Sequence, residues 1–408
     1  MTRPLAPVHA SPARSASARP RLFAAASLLA ALAAVGGGLG GCESDGPRTM
    51  TLDERAASVP MQADEFSTLG YRVEWRGFPT MLPGGTVESV QVLGDALCVT
   101  DTEGVFTVLE ARSGAQRWSD QAAGPLTRFF APVRQGGSEG SRGAAIILPS
   151  ETEVFIYDAD TGTLRTKHRL PEVASTRTAL VGDALAYGAS NGHLVGLLAS
   201  TGFQVWGSGL TGAVDVDPVV FAQGPETIFA SQAGDIVVLD ALTGRGLGRS
   251  KMFAGPGAPI ATSDTLAFIA SLDHSLYAVT RSGGQILWRH RTNAPLRQAP
   301  AFIDGRLYVD LGESGGFSAF DPTTGKILWQ NDTVDGVAVA LRNNRLVVFA
   351  GATDAAGAAK AVTLDPKNGR TIDTVELRSI SMLVAESPKD SPVYAVSPQG
   401  VITRLTPR

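Results

Sequence analysis

The sequence contains few of the residues that carry chemistry. Two cysteines, Cys42 and Cys98, exclude a disulfide-rich framework in a chain of 408 residues. Five histidines are present, and none of them has a partner at the spacing of a zinc site. No phosphate-binding glycine loop, dinucleotide-binding motif or Ser-His-Asp order stands out. The sequence therefore indicates no catalytic residues and no metal site, and no cofactor is expected.

Long amphipathic helical patterns are also missing after residue 70. Short runs of Val, Ile, Leu, Phe and Tyr take their place, separated by Gly, Asp and Asn. With 46 Gly and 24 Pro in a chain that is 44% hydrophobic, this pattern is typical of a folded protein made of many short strands.

The first 42 residues differ from the rest of the chain. They contain four arginines and no acidic residue, followed by an apolar stretch from Leu22 to Val35, as in a secretory signal peptide. The stretch Leu39-Gly40-Gly41-Cys42 resembles a bacterial lipobox, which makes Cys42 the predicted lipidation site. The alternative is an uncleaved membrane anchor over residues 22–41, which the glycines at 36–38, 40 and 41 disfavour.

Cleavage before Cys42 would make the protein more acidic. The net charge of the full chain is −4, and loss of four arginines changes it to −8. An acidic exported protein is a poor candidate for binding nucleic acid. Residues 43–69 are polar with little apolar periodicity, and we predict a flexible tether there.

A phrase of eight residues occurs twice, as SGGQILWR (282–289) and TTGKILWQ (323–330). Weaker copies recur every 40 to 48 residues when the chain is aligned on the glycine four positions before the tryptophan. The aligned glycines are Gly114, Gly162, Gly202, Gly244, Gly284, Gly325 and Gly369. Each unit contains four strand-like runs, which is the pattern of a propeller blade.

Seven full repeats leave three strand-like runs after residue 373 and one isolated run, GYRVEWRG (70–77), before the first repeat. We expect the isolated run to complete the last blade, because this closure leaves no exposed sheet edge. The predicted fold is an all-β, eight-bladed propeller over residues 70–408, with seven blades as the alternative.

Two residue types recur at fixed places in the repeat. An acid stands four residues before the aligned glycine in five of the seven repeats, where it is predicted to start a tight turn. Tryptophan stands four residues after the glycine in four repeats, and Trp75 lies in the isolated run. We expect these indoles to pack between neighbouring blades, at Trp75, Trp118, Trp206, Trp288 and Trp329.

The pattern D-x-x-T-G-x-x-x-W resembles the repeat of quinoprotein-like (PQQ-repeat) propellers. Eight such blades behind a lipobox are similar to the outer-membrane assembly lipoproteins of the BamB family, over residues 70–408. The resemblance implies a non-catalytic, protein-binding scaffold that is monomeric within a complex. It would be lipid-anchored on the periplasmic side of the outer membrane, and its partner would be an envelope protein, the barrel-assembly protein BamA.

The same resemblance implies a partner-binding site. Members of the family carry an Asp-Val-Asp stretch that opens a blade and, together with a nearby loop containing arginine, contacts the partner. Asp215 and Asp217 stand in a similar position in AVDVDPVVF, and Arg177 lies in the loop one blade earlier, whose sequence departs from that of the family. The alternative is that both acids cap turns at the start of an inner strand.

Two other classes of function stay open. Quinone-dependent dehydrogenases share the repeat but use a calcium ion, usually a disulfide between adjacent cysteines, and long insertions over the propeller. This chain has only Cys42 and Cys98 and lacks such insertions, which favours a degenerate quinoprotein or ligand-binding propeller over an enzyme. The third class is an envelope adhesion or cargo-docking module.

Overall fold

The described part of the chain is a ring of eight four-stranded antiparallel sheets. The structure is a computed structural model, and it describes residues 50–136, 143–312, 315–351 and 358–408. All of them belong to the compact unit Pro47–Arg408. The eight sheets confirm the prediction of an eight-bladed propeller and exclude the alternative of seven blades.

Two short helices precede the first strand: α1 (Leu52–Ser58), α2 (Ala63–Thr68) and β1 (Tyr71–Gly77). Each blade is given from its inner to its outer strand. Blade 1 consists of β2 (Val87–Leu93), β3 (Ala96–Asp101), β4 (Val105–Glu110) and β5 (Gln116–Gln121), and blade 2 of β6 (Val133–Gln135), β7 (Ala145–Pro149), β8 (Glu153–Asp158) and β9 (Leu164–Arg169). Blade 3 consists of β10 (Ala179–Val181), β11 (Ala184–Gly188), β12 (His193–Leu198) and β13 (Gln204–Gly209), and blade 4 of β14 (Val219–Val220), β15 (Glu226–Ala230), β16 (Asp235–Asp240) and β17 (Gly246–Lys251).

In the same order, blade 5 consists of β18 (Ala261–Thr262), β19 (Leu266–Ser271), β20 (Ser275–Thr280) and β21 (Ile286–Arg291), and blade 6 of β22 (Ala301–Ile303), β23 (Arg306–Asp310), β24 (Phe317–Phe320) and β25 (Ile327–Asn331). Blade 7 consists of β26 (Val337–Arg342), β27 (Arg345–Ala350), β28 (Ala358–Leu364) and β29 (Thr371–Arg378), and blade 8 of β30 (Met382–Ala385), β31 (Val393–Val396), β32 (Ile402–Pro407) and β1.

The N-terminal strand closes the ring, as the sequence predicts. Strand β1 pairs antiparallel with β32 from Tyr71–Pro407 to Gly77–Ile402, and it is the outer strand of blade 8. The backbone N–H of Arg408 also donates to the carbonyl of Gly70, 3.0 Å away. Blade 8 is thus assembled from the two ends of the propeller.

The hydrophobic core lies between the blades. The middle strands are buried on both faces, as in β3 and β19, whereas the outer strands alternate between exposed and half-buried residues, as in β9. Side chains of neighbouring blades interdigitate, so that Phe106 of blade 1 packs with Phe155 and Tyr157 of blade 2. Cys98 is itself buried in this layer, where it acts as an apolar side chain. Burial raises the pKa of its thiol to about 12.

Blades 1 to 7 each have a tight corner between the third and fourth strands, and the predicted acid accepts backbone N–H groups at four of these corners, from Asp158, Asp240, Asp321 and Asp365. In blade 6, Oδ1 of Asp321 accepts the backbone N–H groups of Thr323 and Thr324 at 2.9 and 2.8 Å. The N–H of Gly325 returns to the Asp321 carbonyl at 2.9 Å, with a φ of +68° at the glycine. That φ favours glycine, and the aspartate pairs two N–H groups of the turn, which explains why the two residues recur together.

The tryptophans lie on the corner glycines of the following blade. At Gly162, Gly244, Gly325 and Gly369, an added Cβ would overlap the indole of the preceding blade. Each indole Nε1 also donates to a backbone carbonyl of that corner, the one that directly follows the position of the recurring acid. In this way Trp329 donates to the carbonyl of Pro366 at 2.8 Å. The other three pairs are Trp118 with Ala159, Trp206 with Ala241 and Trp288 with Pro322.

The indole of Trp75 lies on Gly114 in the same way, but its hydrogen bonding differs. Its Nε1 is buried without a partner among the described residues. The equivalent carbonyl, that of Ala111, instead accepts the hydroxyl of Tyr394 at 3.2 Å. The junction that joins blade 8 to blade 1 therefore uses a tyrosine of blade 8 where the other four use the indole N–H.

The prediction that residues 43–69 form a flexible tether is wrong for the part of that segment that the structure describes. Residues 52–69 contain α1 and α2, and Val59, Phe66 and Leu69 are buried against blades 7 and 8. Blade 7 has Asp373 at the tryptophan position, and blade 8 has no corner glycine because its third and fourth strands are the two chain ends. The N-terminal segment supplies the apolar side chains at this junction.

Arg55 of α1 holds this segment to blade 8. Its guanidinium donates to the carbonyls of Pro79, Gln399 and Gly400 at 2.9, 3.0 and 2.7 Å and lies 5.7 Å from the ring centroid of Phe78. The residue is 6% exposed, and burial lowers its pKa. Because three carbonyls accept from one side chain, α1 is fixed to the turn between β31 and β32.

Candidate functional site

Because the strands alternate in direction, the connections between blades all lie on one face of the ring, which we call the connection face. Arg177 lies in the connection before β10, and Asp215 and Asp217 lie in the connection before β14. Arg177 and Asp217 each precede an inner strand by two residues and are 40 residues apart, which is one repeat. They occupy equivalent positions on blades 3 and 4.

The structure brings Arg177 and Asp217 together. The backbone N–H of Arg177 donates to Oδ1 of Asp217 at 2.8 Å, and its Nε lies 3.7 Å from Oδ2. The hydroxyl of Ser175 donates to the carbonyl of Val214 at 2.6 Å, which joins the same two connections a second time. Asp217 therefore has a structural role in holding the two loops at fixed distance, in addition to any role toward a partner.

Asp215 is oriented differently. Its side chain is exposed, and one carboxylate oxygen accepts the side-chain amide of Gln232 in the turn between β15 and β16. Val214, immediately before it, is fully buried and packs against Gly188, where an added Cβ would collide with the valine. The buried valine anchors the loop, so the carboxylate of Asp215 is held at the surface.

Both carboxylates border a cavity of about 470 Å³ on the connection face. Its wall also includes Glu88 of β2, Arg128 before β6 and the segment 256–259 before β18. Burial raises the pKa of Glu88, and the charge of Arg128 opposes this shift. The Arg128 guanidinium lies 5.1 Å from the ring centroid of Phe130. The cavity thus combines acidic, basic and aromatic side chains from blades 1, 2 and 4.

Glu88 and Arg128 were not predicted from the sequence. The connections have no strand period, so only alignment on the repeat could reveal that residues before successive inner strands converge on one face. For Arg177 and Asp217 this alignment does predict convergence, because the two residues occupy the same position in successive repeats.

The arrangement suits recognition of charged partner groups. The side chains of Arg177 and Asp217 are 33% and 38% exposed, and an ion pair of this exposure contributes about 0–1 kcal/mol. Both groups can therefore exchange this contact for one with a partner at small cost. Among the described residues, no group of three or more His, Cys, Asp or Glu side chains is placed to hold a metal ion.

The remaining predicted site residue, Cys42, lies outside the described residues, as does the whole segment 1–42. Neither α1 nor α2, the two helices in the described ranges, has the length and apolar character needed to cross a bilayer.

A family model described as outer membrane protein assembly factor BamB matches residues 72–178 and 232–404, which together are more than half of the chain. Arg177 lies inside the first matched segment. Asp215 and Asp217 lie between the two segments.

One curated relative is the quinoprotein alcohol dehydrogenase PedH of Pseudomonas putida. The two sequences are 28% identical over 87 residues, which is 19% of this chain and 15% of that protein. The match covers one or two blades, and this chain spans only a small part of the enzyme's length.

Solved structures show the same fold at low sequence identity. BamB from Moraxella catarrhalis matches 78% of this chain and 93% of its own length, with a TM-score of 0.60 and 18% identity. The computationally designed protein Ika8 and Sqt1 from Saccharomyces cerevisiae each match with a TM-score of 0.61, over 79% of this chain and 96% of their own length, at 15% and 11% identity.

Proposed function

This chain belongs to the family of outer membrane protein assembly factor BamB, and we propose that it is a non-catalytic, protein-binding scaffold that serves as a subunit of the outer-membrane β-barrel assembly machinery. In this proposal the protein is lipidated at Cys42 and faces the periplasm. Its partner is the barrel-assembly protein BamA, bound through the connection face at Arg177, Asp215 and Asp217.

The convergence of these three residues carries the proposal. Loops from two blades are joined by two hydrogen bonds and present an arginine and two carboxylates on a rigid ring. A preformed site loses little conformational freedom on binding, and partly exposed charges give specificity and fast association without a large desolvation cost. A scaffold subunit needs these properties, whereas none of them implies catalysis.

Neutralising both carboxylates should weaken the complex with the barrel-assembly protein about tenfold or more. We suggest Asp215→Asn together with Asp217→Asn, because an asparagine oxygen still accepts the N–H of Arg177 and the loop geometry is kept. The purified proteins would be compared by surface-immobilised binding at several salt concentrations, since loss of interfacial charge changes both affinity and its salt dependence.

Asp332→Asn with Asp335→Asn is the matched control. Asp335 also precedes an inner strand by two residues, and both side chains are exposed in the connection between blades 6 and 7. Unchanged affinity in the control and loss in the site variant would support the assignment. Equal affinity of both variants and the parent would refute the site, and absence of binding by the parent would refute the proposed partner.

Lipid anchoring has a separate test. Cys42→Ala should move the protein from the membrane fraction to the soluble periplasmic fraction, because the thioether that carries the lipid cannot form. Cys98→Ala is the control, since its thiol is buried between blades 1 and 2. Membrane retention of the Cys42 variant would show that the protein is held by another means.

The similarity to PedH favours one second candidate, a ligand-binding propeller that keeps part of a quinone site. Purified protein mixed with pyrroloquinoline quinone and calcium, then desalted, decides between the two. Retained quinone absorbance at one equivalent would favour the ligand-binding function, and its loss would leave the scaffold function.

A further inference from the structure

One position of the repeat carries a charge in only three of the eight blades. It is the residue two places before each inner strand, and in chain order it is Gly85, Ala131, Arg177, Asp217, Pro259, Ala299, Asp335 and Ile380. Arg177 and Asp217 contact each other at the site described above. Asp335 of blade 7 is exposed, and its side chain has no hydrogen bond or ion pair among the described residues. Blade 7 therefore presents an unpaired carboxylate at the position that carries the proposed partner-binding charges in blades 3 and 4.

The connection before blade 7 holds Asp335 at the surface. The residue before it, Val334, is 5% exposed and packs in the core between blades 6 and 7. The N–H of the residue after it, Gly336, donates to Oδ2 of Asp310 at 2.8 Å. Gly336 has a φ of +115° and lies so close to the carbonyl of Phe349 that an added Cβ would collide with it. Because both neighbours of Asp335 are fixed, its carboxylate is presented to a partner at little cost in conformational freedom.

Asp335 borders an apolar cavity of about 540 Å³, which we call the blade 7 cavity. Its wall includes Val337 and Val339 of β26, Phe349 of β27 and Leu383 of β30. In the other seven blades the last two residues of the second strand are buried, whereas in blade 7 both are half-buried. The volume lies in the range of apolar pockets that bind ligands, about 300–1000 Å³. Blade 7 thus offers a place for a large apolar group that the other blades lack.

The charge at the edge of the blade 7 cavity is negative. Asp335 is the one charged side chain among the described residues of its wall. Asp335 also borders a second cavity, of about 430 Å³, together with Asp310, Asp332 and Arg297. Both carboxylate oxygens of Asp310 accept backbone N–H groups at 2.8 Å, and Arg297 forms no ion pair within the described ranges. Two exposed carboxylates stand against this one guanidinium, so the two cavities together favour a basic group.

We propose that the blade 7 cavity docks a segment of a partner protein in which a lysine or arginine is adjacent to a large apolar side chain. The apolar side chain packs against Phe349 and the two valines of β26, and the cation pairs with Asp335. This inference rests on the proposed scaffold function. The segment belongs to a different partner, since the barrel-assembly protein is assigned to blades 3 and 4, three blades away. Neutralising Asp335 is therefore still expected to leave the barrel-assembly protein bound.

The test starts from the purified full chain and a displayed library of random nine-residue peptides. We expect the recovered sequences to place Lys or Arg within two positions of Leu, Ile, Phe, Met or Trp. The most frequent sequence, synthesised with a fluorescent label, should bind one to one in a polarisation assay. Copies in which glutamate replaces the basic residue, or serine replaces the apolar one, should bind about tenfold more weakly or worse.

Variants of the protein locate the bound peptide. Asp335→Asn should weaken peptide binding about tenfold and reduce its salt dependence. Val337→Thr keeps the shape of the wall but adds a hydroxyl, and it should weaken binding about threefold. Asp264→Asn is the matched control, because this exposed aspartate lies in the turn between β18 and β19 and its loss changes the net charge equally. Asp335 and Asp264 are both exposed, so neither change should shift the melting temperature.

Four results would overturn the proposal: no enrichment above the unselected library, recovered peptides without a basic residue, a peptide affinity that Asp335→Asn leaves intact, or displacement of the peptide by octylamine at equal concentration. The last result would mean that the cavity binds small apolar amines and not a protein segment.

Failure of the proposed function is distinguishable from failure of this inference. If the barrel-assembly protein does not bind the parent but an apolar-basic peptide binds at Asp335, the partner assigned to blades 3 and 4 is wrong and the blade 7 cavity stands. If the barrel-assembly protein binds and the library gives nothing, only the blade 7 cavity fails.

Discussion

Replacement of Trp118 by alanine should lower the free energy of unfolding by about 3–5 kcal/mol, the usual cost of removing a large buried aromatic side chain. Trp118 is 8% exposed and packs against Tyr157 and Phe106, with ring centroids 5.4 Å away in both cases. The change also leaves the carbonyl of Ala159 without its indole donor and uncovers Gly162. Urea denaturation followed by circular dichroism measures the loss.

Trp288→Ala is the matched control for this prediction. Trp288 makes the same corner contact and the same type of hydrogen bond, to Pro322 at 2.9 Å, but it is only half-buried. Its replacement should cost less than that of Trp118, because less apolar area is lost. If Trp118→Ala changes stability by under about 1 kcal/mol, or less than Trp288→Ala does, the indoles do not hold neighbouring blades together in the way described.

The blade count could be predicted because the corners are chemically demanding. A glycine with positive φ recurs at all seven corners, and an acid that binds backbone N–H groups recurs at four of them, as at Asp321 and Gly325. The period survives even where the tryptophan is lost, at Thr166, Gly248 and Asp373. Closure by β1 followed from the same reasoning, since three strands at one end need a fourth from the other.

The N-terminal helices were missed because each is only two turns long or less, too short for helical periodicity to be detected. One signal was available: Thr51 and Glu54 form a capping box at the start of α1, with Glu54 N–H to Thr51 Oγ1 at 3.2 Å. The burial of Arg55 was not predictable from the local sequence, because its acceptors at Gln399 and Gly400 lie at the other end of the chain.

The candidate site could be predicted only in part. Asp215, Asp217 and Arg177 came from resemblance, and their contact depends on how blades 3 and 4 stack. The sequence shows His168 only as a histidine with no partner at zinc spacing, whereas in the structure its ring lies on Gly202 at the junction of blades 2 and 3. Residues that act through the stacking of repeats need the structure, whereas residues that act within one turn do not.

Deletion of residues 50–77, which removes α1, α2 and β1, should abolish the cooperative unfolding transition and leave soluble aggregates. Strand β1 contributes six backbone pairs to blade 8, buries Tyr71 and places Trp75 on Gly114. Without it, β32 becomes an unpaired edge in a ring that is otherwise closed, and such edges pair with other molecules. Light scattering and near-ultraviolet circular dichroism would report both effects. Deletion of residues 50–58 alone is the control and should give a folded, less stable monomer.

Moving the strand to the other end of the chain should restore the fold. Strands β28 and β29 pair as Leu364 with Thr371 across the six-residue corner 365–370, and β32 pairs with β1 as Pro407 with Tyr71. Residues 71–77 joined to Pro407 through a copy of the corner sequence 365–370 would therefore form an ordinary blade with the same register. We expect a cooperative, monomeric propeller, with stability below the parent because Val59, Phe66 and Leu69 are still missing from the junction of blades 7 and 8. Failure of this variant to fold, while the control deletion folds, would show that closure requires the N-terminal segment itself and not merely a fourth strand in blade 8.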